Sequence, residues 1–176
     1  GVGSAPLYPQ LRALANMGVE CDVIIGGREA QYVLLADKFK EFCKHVYITT
    51  DDGSLGEKGF VTTKLQELID NNESIDEVIA IGPVPMMKAV VGVTKPHNIK
   101  TSVSLNPIMI DGTGMCGCCR VSVDGKIKFA CVDGPDFDGL QVDFDELMAR
   151  QRMFKEEEHE VMENADRICN LMRGVQ

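Results

Sequence analysis

The sequence predicts an α/β fold with a parallel sheet, followed by a cysteine-rich loop and hairpin and then a long terminal helix. Three observations support this prediction. Short apolar segments alternate with helical patterns over residues 21–105, four of the seven cysteines lie within residues 116–131, and apolar residues recur at helical spacing in the acidic tail. Strands separated by helices at this spacing are typical of a parallel, doubly wound sheet.

Length and composition narrow the possible classes. A chain of 176 residues with 44% hydrophobic content is sufficient for one packed domain and an appendage. A net charge of −9 argues against nucleic-acid binding, because phosphate contacts need basic patches. No apolar run approaches the roughly 18 residues that cross a bilayer, so we expect no membrane contact. Free cysteines without a secretory signal predict the cytoplasm.

The chain opens on a glycine turn that leads directly into a helix. The turn contains Gly1, Gly3, Ser4, Ala5 and Pro6, and apolar residues then recur every three or four positions. A glycine turn at a helix N-terminus can bind an anion such as a pyrophosphate. Such turns normally follow a buried parallel strand. We therefore expect the chain to be a fragment whose first strand precedes Gly1.

The α/β alternation continues in order along the chain. Each strand is expected to be short and apolar, and each helix to carry one apolar face. The predicted elements are strand Cys21–Ile25, helix Ala30–Cys43, strand Val46–Thr49, helix Thr62–Ile69 with Thr62 or Thr63 near its cap, strand Val78–Ile81, a helix from Met86, and strand Thr101–Leu105.

Four polar or glycine-rich loops should lie along one edge of this sheet. They span Gly1–Pro6, Gly26–Glu29, Thr49–Gly53 and Gly82–Pro85. In open α/β sheets, ligands bind at the carboxyl ends of the parallel strands. The shared edge predicts a dinucleotide site. The alternative is that these loops only turn the chain.

The segment from Asp111 to Cys131, DGTGMCGCCRVSVDGKIKFAC, has the character of a cluster-binding loop. A plant-type [2Fe–2S] site has the spacing C-x4-C-x2-C and then a distant cysteine. With Cys116, Cys119 and Cys131 in the last three places, the first falls on Asp111. Glycines let backbone N–H groups approach the cluster sulfides. Cys118 would be a spare thiol that points away.

Other interpretations of the cysteines stay open. They could bind zinc, although zinc sites usually have two separated cysteine pairs. They could form disulfides, although the cysteine count is odd. They could be inert buried thiols, which better suits Cys21, Cys43 and Cys169. Asp111 could simply begin an Asp-Gly turn.

The remainder of the chain predicts a hairpin, a turn-rich connection and a helix. Asp124-Gly125 is a strong hairpin signal, and residues 133–139 are rich in turn formers. From Asp143 to Arg173 we expect one helix, capped by Asp143 with Glu146 three residues on. Its apolar stripe could dock on the sheet or meet another subunit, and comprises Leu147, Phe154, Val161, Ala165, Ile168 and Met172. The predicted domain boundaries are 1–105, 106–142 and 143–176.

Several of these segments resemble known flavoproteins. GVGSAPLYP, GGRE, TTDDGSLGEKG and GPVPMM resemble the nucleotide-binding half of ferredoxin–NADP-reductase-like proteins. The segment from Ser104 through Glu158 resembles the small subunits of NADH-dependent reduced ferredoxin:NADP oxidoreductase, also called sulfide dehydrogenase. It is more distantly similar to the electron-transfer subunit of dihydroorotate dehydrogenase, which has a cysteine at the position of Asp111.

The resemblance implies a residue assignment for both sites. On the adenosine side, an acidic residue suits the free ribose 2′-hydroxyl of NAD, and an arginine suits the 2′-phosphate of NADP. Both residue types occur here, so the sequence leaves NAD and NADP open, although the family favours NADH. The implied ligands are Asp111, Cys116, Cys119 and Cys131 for the [2Fe–2S] cluster, Gly1, Gly3, Ser4, Ala5 and Pro6 for phosphate, Gly82, Pro83 and Met86 for nicotinamide, and Arg28, Asp51 and Asp52 for adenosine.

The resemblance also implies an oxidoreductase mechanism. Hydride would pass between NAD(P)H and an FAD held by an N-terminal barrel absent from this chain. The cluster would send single electrons to a large flavin/iron–sulfur subunit, and ferredoxin could be reached through that complex. No catalytic base or nucleophile is expected, and the isolated chain should be inactive. The alternatives are a dihydroorotate dehydrogenase electron-transfer subunit and a zinc-stabilised binding module without redox activity.

Overall fold

The computed structural model describes the backbone of residues 1–173 and the side chains of residues 1–164. The strands are β1 (Asp22–Gly27), β2 (His45–Thr50), β3 (Glu57–Lys58), β4 (Glu77–Ile81), β5 (Lys100–Ser104), β6 (Arg120–Val123), β7 (Lys126–Phe129) and β8 (Asp136–Asp138). The α-helices are α1 (Ser4–Asn16), α2 (Ala36–Phe39), α3 (Val61–Asp70), α4 (Val84–Thr94), α5 (Phe144–Gln151) and α6 (Lys155–Arg173).

The parallel strands form two groups. β1, β2 and β3 are parallel neighbours, with Asp22 opposite His45 and Gly27 opposite Thr50. β4 is parallel to β5, and β8 adds an antiparallel edge to β5. β6 and β7 form a separate antiparallel hairpin. The predicted α/β class with a parallel sheet is therefore confirmed. Within residues 1–173, β1 and β4 do not pair with each other.

The glycine turn lies between these two groups of strands. The Gly1 amino group donates to the carbonyl of Gly26 in β1, and a Cβ added to Gly3 would collide with the carbonyl of Ile81 in β4. Helix α3 packs on both β1 and α4, so the two groups share a helical layer. The carboxyl ends of β1 and β4 therefore meet at the N-terminus of α1.

The main apolar core joins the sheet to the cysteine-rich part of the chain. Met87 from α4, Val103 from β5, Val121 from β6 and Leu147 from α5 are all almost completely buried in it. Burying each such side chain contributes roughly 1.5–3 kcal/mol. A second core surrounds Phe39, where the aromatic rings pack edge to face, and includes Leu11, Val23, Ile25, Tyr8 and Phe42. The hairpin and α5 thus belong to the same packed body as β4, α4 and β5.

The predicted helix over Ala30–Cys43 is wrong. The chain forms a short 3₁₀ turn at Ala30–Tyr32 and then only the four-residue α2. Leu35, between them, has a φ of 62°, a left-handed conformation that interrupts a right-handed helix. The apolar spacing nevertheless identified Phe39, which is fully buried.

Two further local predictions need correction. Helix α3 begins at Val61 after Phe60, and no side chain caps it, so neither Thr62 nor Thr63 is a capping residue. The segment 133–139 contains strand β8 and is not only a turn. Phe137 lies opposite Val103 in the register and packs against the main core, which explains why this short strand forms.

The tail is two helices, not one. Asp143 caps α5 as predicted, because its carboxylate accepts the Glu146 N–H at 3.0 Å. α5 ends at Gln151 and α6 begins at Lys155. Leu147 packs into the main core, whereas Phe154 and Val161 are exposed, and Ala165, Ile168 and Met172 lie outside the described side chains. No helix in the described part of the chain is long and apolar enough to cross a membrane.

Candidate functional site

The predicted phosphate turn lies at the start of α1. The N–H groups of Ser4 and Ala5 donate to the carbonyls of Gly1 and Val2, which forms the first turn. Pro6 fits this turn because its missing N–H is not needed there. The N-terminal end of the helix dipole points at the edge where β1 and β4 end, and it favours an anionic group.

This edge is lined by backbone, because glycines stand at each close approach. A Cβ on Gly26 would collide with Val61, and one on Gly82 would collide with the terminal methyl of Met86. Thr49 lies opposite Gly26, and its buried hydroxyl has no hydrogen-bond partner among the described residues. An unpaired buried hydroxyl costs about 1–3 kcal/mol. A polar ligand seated beside Gly26 would satisfy it, so this edge suits a nucleotide.

The adenosine-side residues are brought together by the backbone of two loops. Asp51 N–H donates to the Gly27 carbonyl at 3.1 Å, and Asp52 N–H donates to the Arg28 carbonyl at 3.3 Å. The Asp52 carboxylate accepts both the N–H and the hydroxyl of Ser54, and the hydroxyl bond is the main cause of its lowered pKa. Arg28, Asp51 and Asp52 therefore share one exposed corner at the ends of β1 and β2.

Lys64 is a residue of this region that sequence reasoning missed. Its ammonium contacts Glu57 at 2.7 Å and Glu67 at 2.9 Å, and it lies 5.3 Å from the ring centre of Tyr47. These contacts fasten β3 to α3. The hydrogen bond to Glu57 is the main cause of the raised Lys64 pKa. The only sequence signal was the i,i+3 spacing of Lys64 and Glu67.

The nicotinamide-side residues lie where β4 meets α4. The carbonyl of Pro83 accepts the N–H groups of Met86 and Met87, at 2.9 and 3.1 Å, and this starts the helix. Gly82 leaves room for the Met86 methyl group. The glycine turn at Gly3 touches the same strand end. All three predicted parts of the nucleotide site thus share one edge of the fold.

Asp111 shapes the cysteine loop. Its two carboxylate oxygens accept the N–H groups of Thr113, at 2.9 Å, and Cys116, at 2.8 Å. These hydrogen bonds lower the pKa of Asp111, and the bond from Thr113 is the main cause. Gly112 and Gly114 have positive φ angles and let the loop curl back. Asp111 therefore reaches the cysteines, and it also makes the Asp-Gly turn considered as its alternative role.

The four loop cysteines lie in two pairs. The sulfurs of Cys119 and Cys131 are 3.2 Å apart, and Cys119 is buried. Cys118 donates its backbone N–H to the Cys116 sulfur at 3.5 Å, so the two residues are neighbours, and the role of Cys118 as the spare thiol stays a prediction. The Cys116 pKa is lowered mainly by this N–H, whereas the Cys131 pKa is raised mainly by a hydrogen bond with Cys119.

This donor set fits an iron–sulfur cluster in its chemistry. Three soft thiols and one carboxylate lie on a loop closed by the β6–β7 hairpin, and the six cysteines with described side chains are free. Within the described residues, no three Cys, His, Asp or Glu side chains converge as a ready metal site. A four-residue set would therefore need Cys116 and Asp111 to come closer to Cys119 and Cys131.

Exposed apolar residues flank the loop cysteines in the sequence. Ile108, Ile110, Met115 and Val132 are exposed, and Met115 is 89% exposed. Exposed apolar residues grouped in this way mark interaction surfaces more often than single ones do. We call these four residues the apolar rim.

Comparison with known proteins identifies both parts of the chain. Residues 1–92 match the family described as "Oxidoreductase NAD-binding domain". The chain belongs to this family. Residues 106–143 match the iron-sulfur cluster binding domain of dihydroorotate dehydrogenase B, which favours iron–sulfur over zinc for the cysteine loop. The predicted oxidoreductase class, NAD-binding domain and iron–sulfur domain are thereby confirmed.

Two curated relatives are similar to most of this chain, and the name of the second agrees with the predicted resemblance. The chain is 50% identical over 159 residues to "Uncharacterized protein in adh 3'region" of Clostridium beijerinckii, covering 90% of this chain and 54% of that protein. It is 47% identical over 158 residues to a dihydroorotate dehydrogenase B electron transfer subunit homolog of Thermotoga maritima, covering 90% and 55%. The chain thus spans about half the length of the curated relatives it matches.

A solved structure also matches. It is that of an NADH-dependent reduced ferredoxin-NADP oxidoreductase, with a TM-score of 0.82 and 44% identity over 93% of this chain and 59% of that one. The predicted resemblance and the ferredoxin-reductase-like fold are confirmed by this match.

Proposed function

We propose that this chain is the electron-transfer part of an NAD(P)H oxidoreductase. The nucleotide edge would hold a nicotinamide dinucleotide, which would supply hydride to an FAD held outside residues 1–176, and the cysteine loop would hold a [2Fe–2S] cluster, which would supply one-electron transfer. One observation carries the proposal: the nucleotide edge and the cysteine loop are built on one continuous core, from Val84 in α4 to Val121 in β6. A shared core supports a fixed separation between the two sites.

The nucleotide would lie along the edge formed by β1, β2 and β4. Gly1, Gly3 and Ser4, with Ala5 and Pro6, would receive the pyrophosphate at the N-terminus of α1. Gly82, Pro83 and Met86 would face the nicotinamide. The corner of Arg28, Asp51 and Asp52 would meet the adenosine ribose, and we favour NADH because two carboxylates stand there beside one guanidinium.

The cluster would be held by Asp111, Cys116, Cys119 and Cys131. When bound, it supplies one-electron transfer, while the protein sets its placement and its potential. Cys119 and Cys131 are fixed by β6 and the end of β7, whereas Asp111 orders the loop that carries Cys116. The site needs reduced thiols, which is why we assign the protein to the cytoplasm.

The partner is proposed to be a large flavin/iron–sulfur subunit that docks on the apolar rim. Met115 adjoins Cys116 and Val132 adjoins Cys131, so a partner seated on the rim would bring its own redox group close to the cysteines. Ferredoxin would be reached through that partner. The chain itself needs no acid–base residue, because hydride and electron transfer belong to the cofactors.

A second candidate is the electron-transfer subunit of dihydroorotate dehydrogenase. It is favoured by the names of curated relatives, one of which is 47% identical. The two candidates differ in the partner and the final acceptor. The full-length protein with its partner should reduce NADP with NADH and reduced ferredoxin together under the first proposal, and oxidise dihydroorotate with NAD under the second.

The visible spectrum of anaerobically reconstituted protein tests the cluster. We expect sulfide-to-iron absorption bands and two irons per chain. Cys119→Ser and Cys131→Ser should abolish the bands, whereas Cys118→Ser should keep them. A colourless wild-type chain that retains one tightly bound zinc would refute the proposal.

FAD binding should differ between this chain alone and the full-length protein. The isolated chain should bind no FAD stoichiometrically and should show no NADH oxidase activity, because the flavin site lies outside it. FAD that copurifies one-to-one with residues 1–176 would contradict this part of the proposal. Fluorescence titration with NADH and NADPH, compared side by side, measures the nucleotide preference.

A further inference from the structure

The C-terminal turn of α5 touches the cysteine module through two side chains. Arg150 donates from Nη2 to the Cys118 carbonyl at 3.2 Å, and Gln151 donates from Nε2 to the Asn106 carbonyl at 3.2 Å. Helix α5 is itself anchored, because Phe144 and Leu147 are buried in the main core. Arg150 therefore acts on the loop from a fixed position.

The Arg150 guanidinium is largely buried and incompletely paired. Its side chain is 21% exposed, and Nη1 lies 3.8 Å from the Glu146 carboxylate without a hydrogen bond in the described part of the chain. Oε2 of Glu146 is likewise buried and unpartnered there. Arg120 also donates to the loop, at the Gly117 carbonyl, but that contact is exposed. Solvent screens Arg120 far more than Arg150.

We propose that Arg150 is a positioning residue for the iron–sulfur centre. Its hydrogen bond fixes the peptide that joins Cys118 to Cys119, and because a trans peptide is planar, this also fixes the direction of the Cys119 N–H. Its partly buried positive charge would stabilise a bound cluster in the reduced state, because reduction by one electron adds one negative charge and breaks no bond. The inference rests on the proposed function, since it requires a cluster on this loop.

The charge arrangement makes a directional prediction. Arg150→Gln removes the cation and should lower the midpoint potential of the reconstituted cluster. Glu146→Gln removes the neighbouring anion, leaves Arg150 in place, and should raise that potential. Both substitutions break the same ion pair. If that pair only supported the structure, both variants should change the midpoint potential in the same direction. Opposite shifts are the signature of electrostatic control.

An EPR-monitored dithionite titration of each reconstituted variant measures these potentials. We expect each shift to change the reduced-to-oxidised ratio at fixed potential at least threefold, about 28 mV for one electron. Arg152→Gln is the matched control, because Arg152 is exposed, two residues away, and carries the same charge. It should leave the potential unchanged. Arg150→Lys keeps the charge and should restore most of the wild-type potential.

The outcomes separate the inference from the function beneath it. If wild-type protein forms no cluster, the proposed function fails and the inference fails with it. If wild-type protein forms the cluster but Arg150→Gln and Glu146→Gln shift the potential in the same direction, or no more than Arg152→Gln does, the inference is wrong while the proposed function stands. If Arg150→Gln does not fold, the rise expected for Glu146→Gln decides the question.

Discussion

The nucleotide edge and the cysteine loop are organised in opposite ways. At the edge, segments distant in sequence meet because the glycine turn contacts both Gly26 in β1 and Ile81 in β4. In the loop, residues adjacent in sequence are held by local hydrogen bonds from Asp111 and by positive-φ glycines. The nucleotide edge therefore depends on the topology of the fold, whereas the cysteine loop depends on local turn contacts.

This difference has a physical consequence. The edge needs small residues where backbones meet, so it is sensitive to added volume and insensitive to most charge changes. The loop has no regular structure between β5 and β6, so its shape depends on polar contacts and on whatever the thiols bind. Metal binding is coupled to folding in such loops.

A large destabilising effect is expected at the edge. Gly3→Ala places a Cβ against the carbonyl of Ile81, which is backbone and cannot rotate away. We expect a loss of about 3 kcal/mol in the free energy of unfolding, measured by urea denaturation, and loss of NADH binding. Gly92→Ala is the matched control, because its Cβ meets nothing within 4 Å and should stabilise α4 by about 0.5–1 kcal/mol. Equal stability of the two variants would contradict a tightly packed edge.

The same difference explains what the sequence could predict. Strand positions at the edge followed from apolar segments closed by Gly, such as Ile25 before Gly26 and Ile81 before Gly82, and the strands end within two residues of the predicted positions. Hairpin β6–β7 followed from Asp124-Gly125, and both residues have positive φ. These features depend on local chemistry that the sequence displays directly.

The errors occurred where tertiary contacts override local pattern. The apolar spacing of Ala30–Cys43 is helical, yet Leu35 takes a left-handed conformation and α2 covers only four residues. Strand β8 was missed because it forms by pairing with β5, where Phe137 lies opposite Val103. The ion pair of Lys64 with Glu57 and the contact of Arg150 with Cys118 join residues whose proximity only the folded chain creates.

The next prediction separates the two roles of Asp111. Asp111→Asn keeps an oxygen that can accept the Thr113 N–H, whereas Asp111→Ala removes both the turn contacts and the proposed ligand. If the carboxylate is a ligand, both variants should lose their cluster to a chelator several-fold faster than wild type. If it only forms the turn, Asp111→Asn, which loses the Cys116 contact and keeps the Thr113 contact, should fall between wild type and Asp111→Ala in lability.

Two further variants complete that experiment. Asp111→Cys should retain a cluster with a shifted potential and a weaker pH dependence, because a carboxylate is a harder ligand that can be protonated. Cys118→Ser should change little. Retention of a wild-type spectrum by Asp111→Ala, together with its loss in Cys118→Ser, would show that the ligand assignment is wrong.

Thiol titration extends the comparison to the two groups of cysteines. Burial is the main cause that raises the Cys43 pKa to about 11, with the neighbouring Cys21 adding to it, whereas Cys116 is exposed and its pKa is lowered. A raised folded-state pKa gives stability that is complete below the unfolded pKa and is lost as the pH rises toward the folded value. We expect a loss of roughly 2–3 kcal/mol between about pH 8.5 and pH 11, measured by urea denaturation.

The control for this pH dependence is Cys43→Ala. It should be less stable at neutral pH, because it leaves a small cavity, but its stability should fall less steeply above pH 8.5 than that of wild type. Alkylation by iodoacetamide at neutral pH should modify Cys116 well before Cys43. Parallel pH profiles for the two proteins would mean that Cys43 does not titrate as a buried thiol.

The smallest effect on the isolated chain is expected in the tail. Phe154 and Val161 are 54% and 67% exposed, so Phe154→Glu with Val161→Glu should shift the free energy of unfolding by no more than about 0.5 kcal/mol. Leu147→Ala, on the buried face of α5, is the contrasting variant and should cost about 2–5 kcal/mol. If the exposed stripe serves a partner, the double Glu variant should still weaken association with the large subunit in pull-down or light-scattering measurements. A large fall in its melting temperature would instead mean that α6 packs on the sheet domain, and the stripe would then belong to the core.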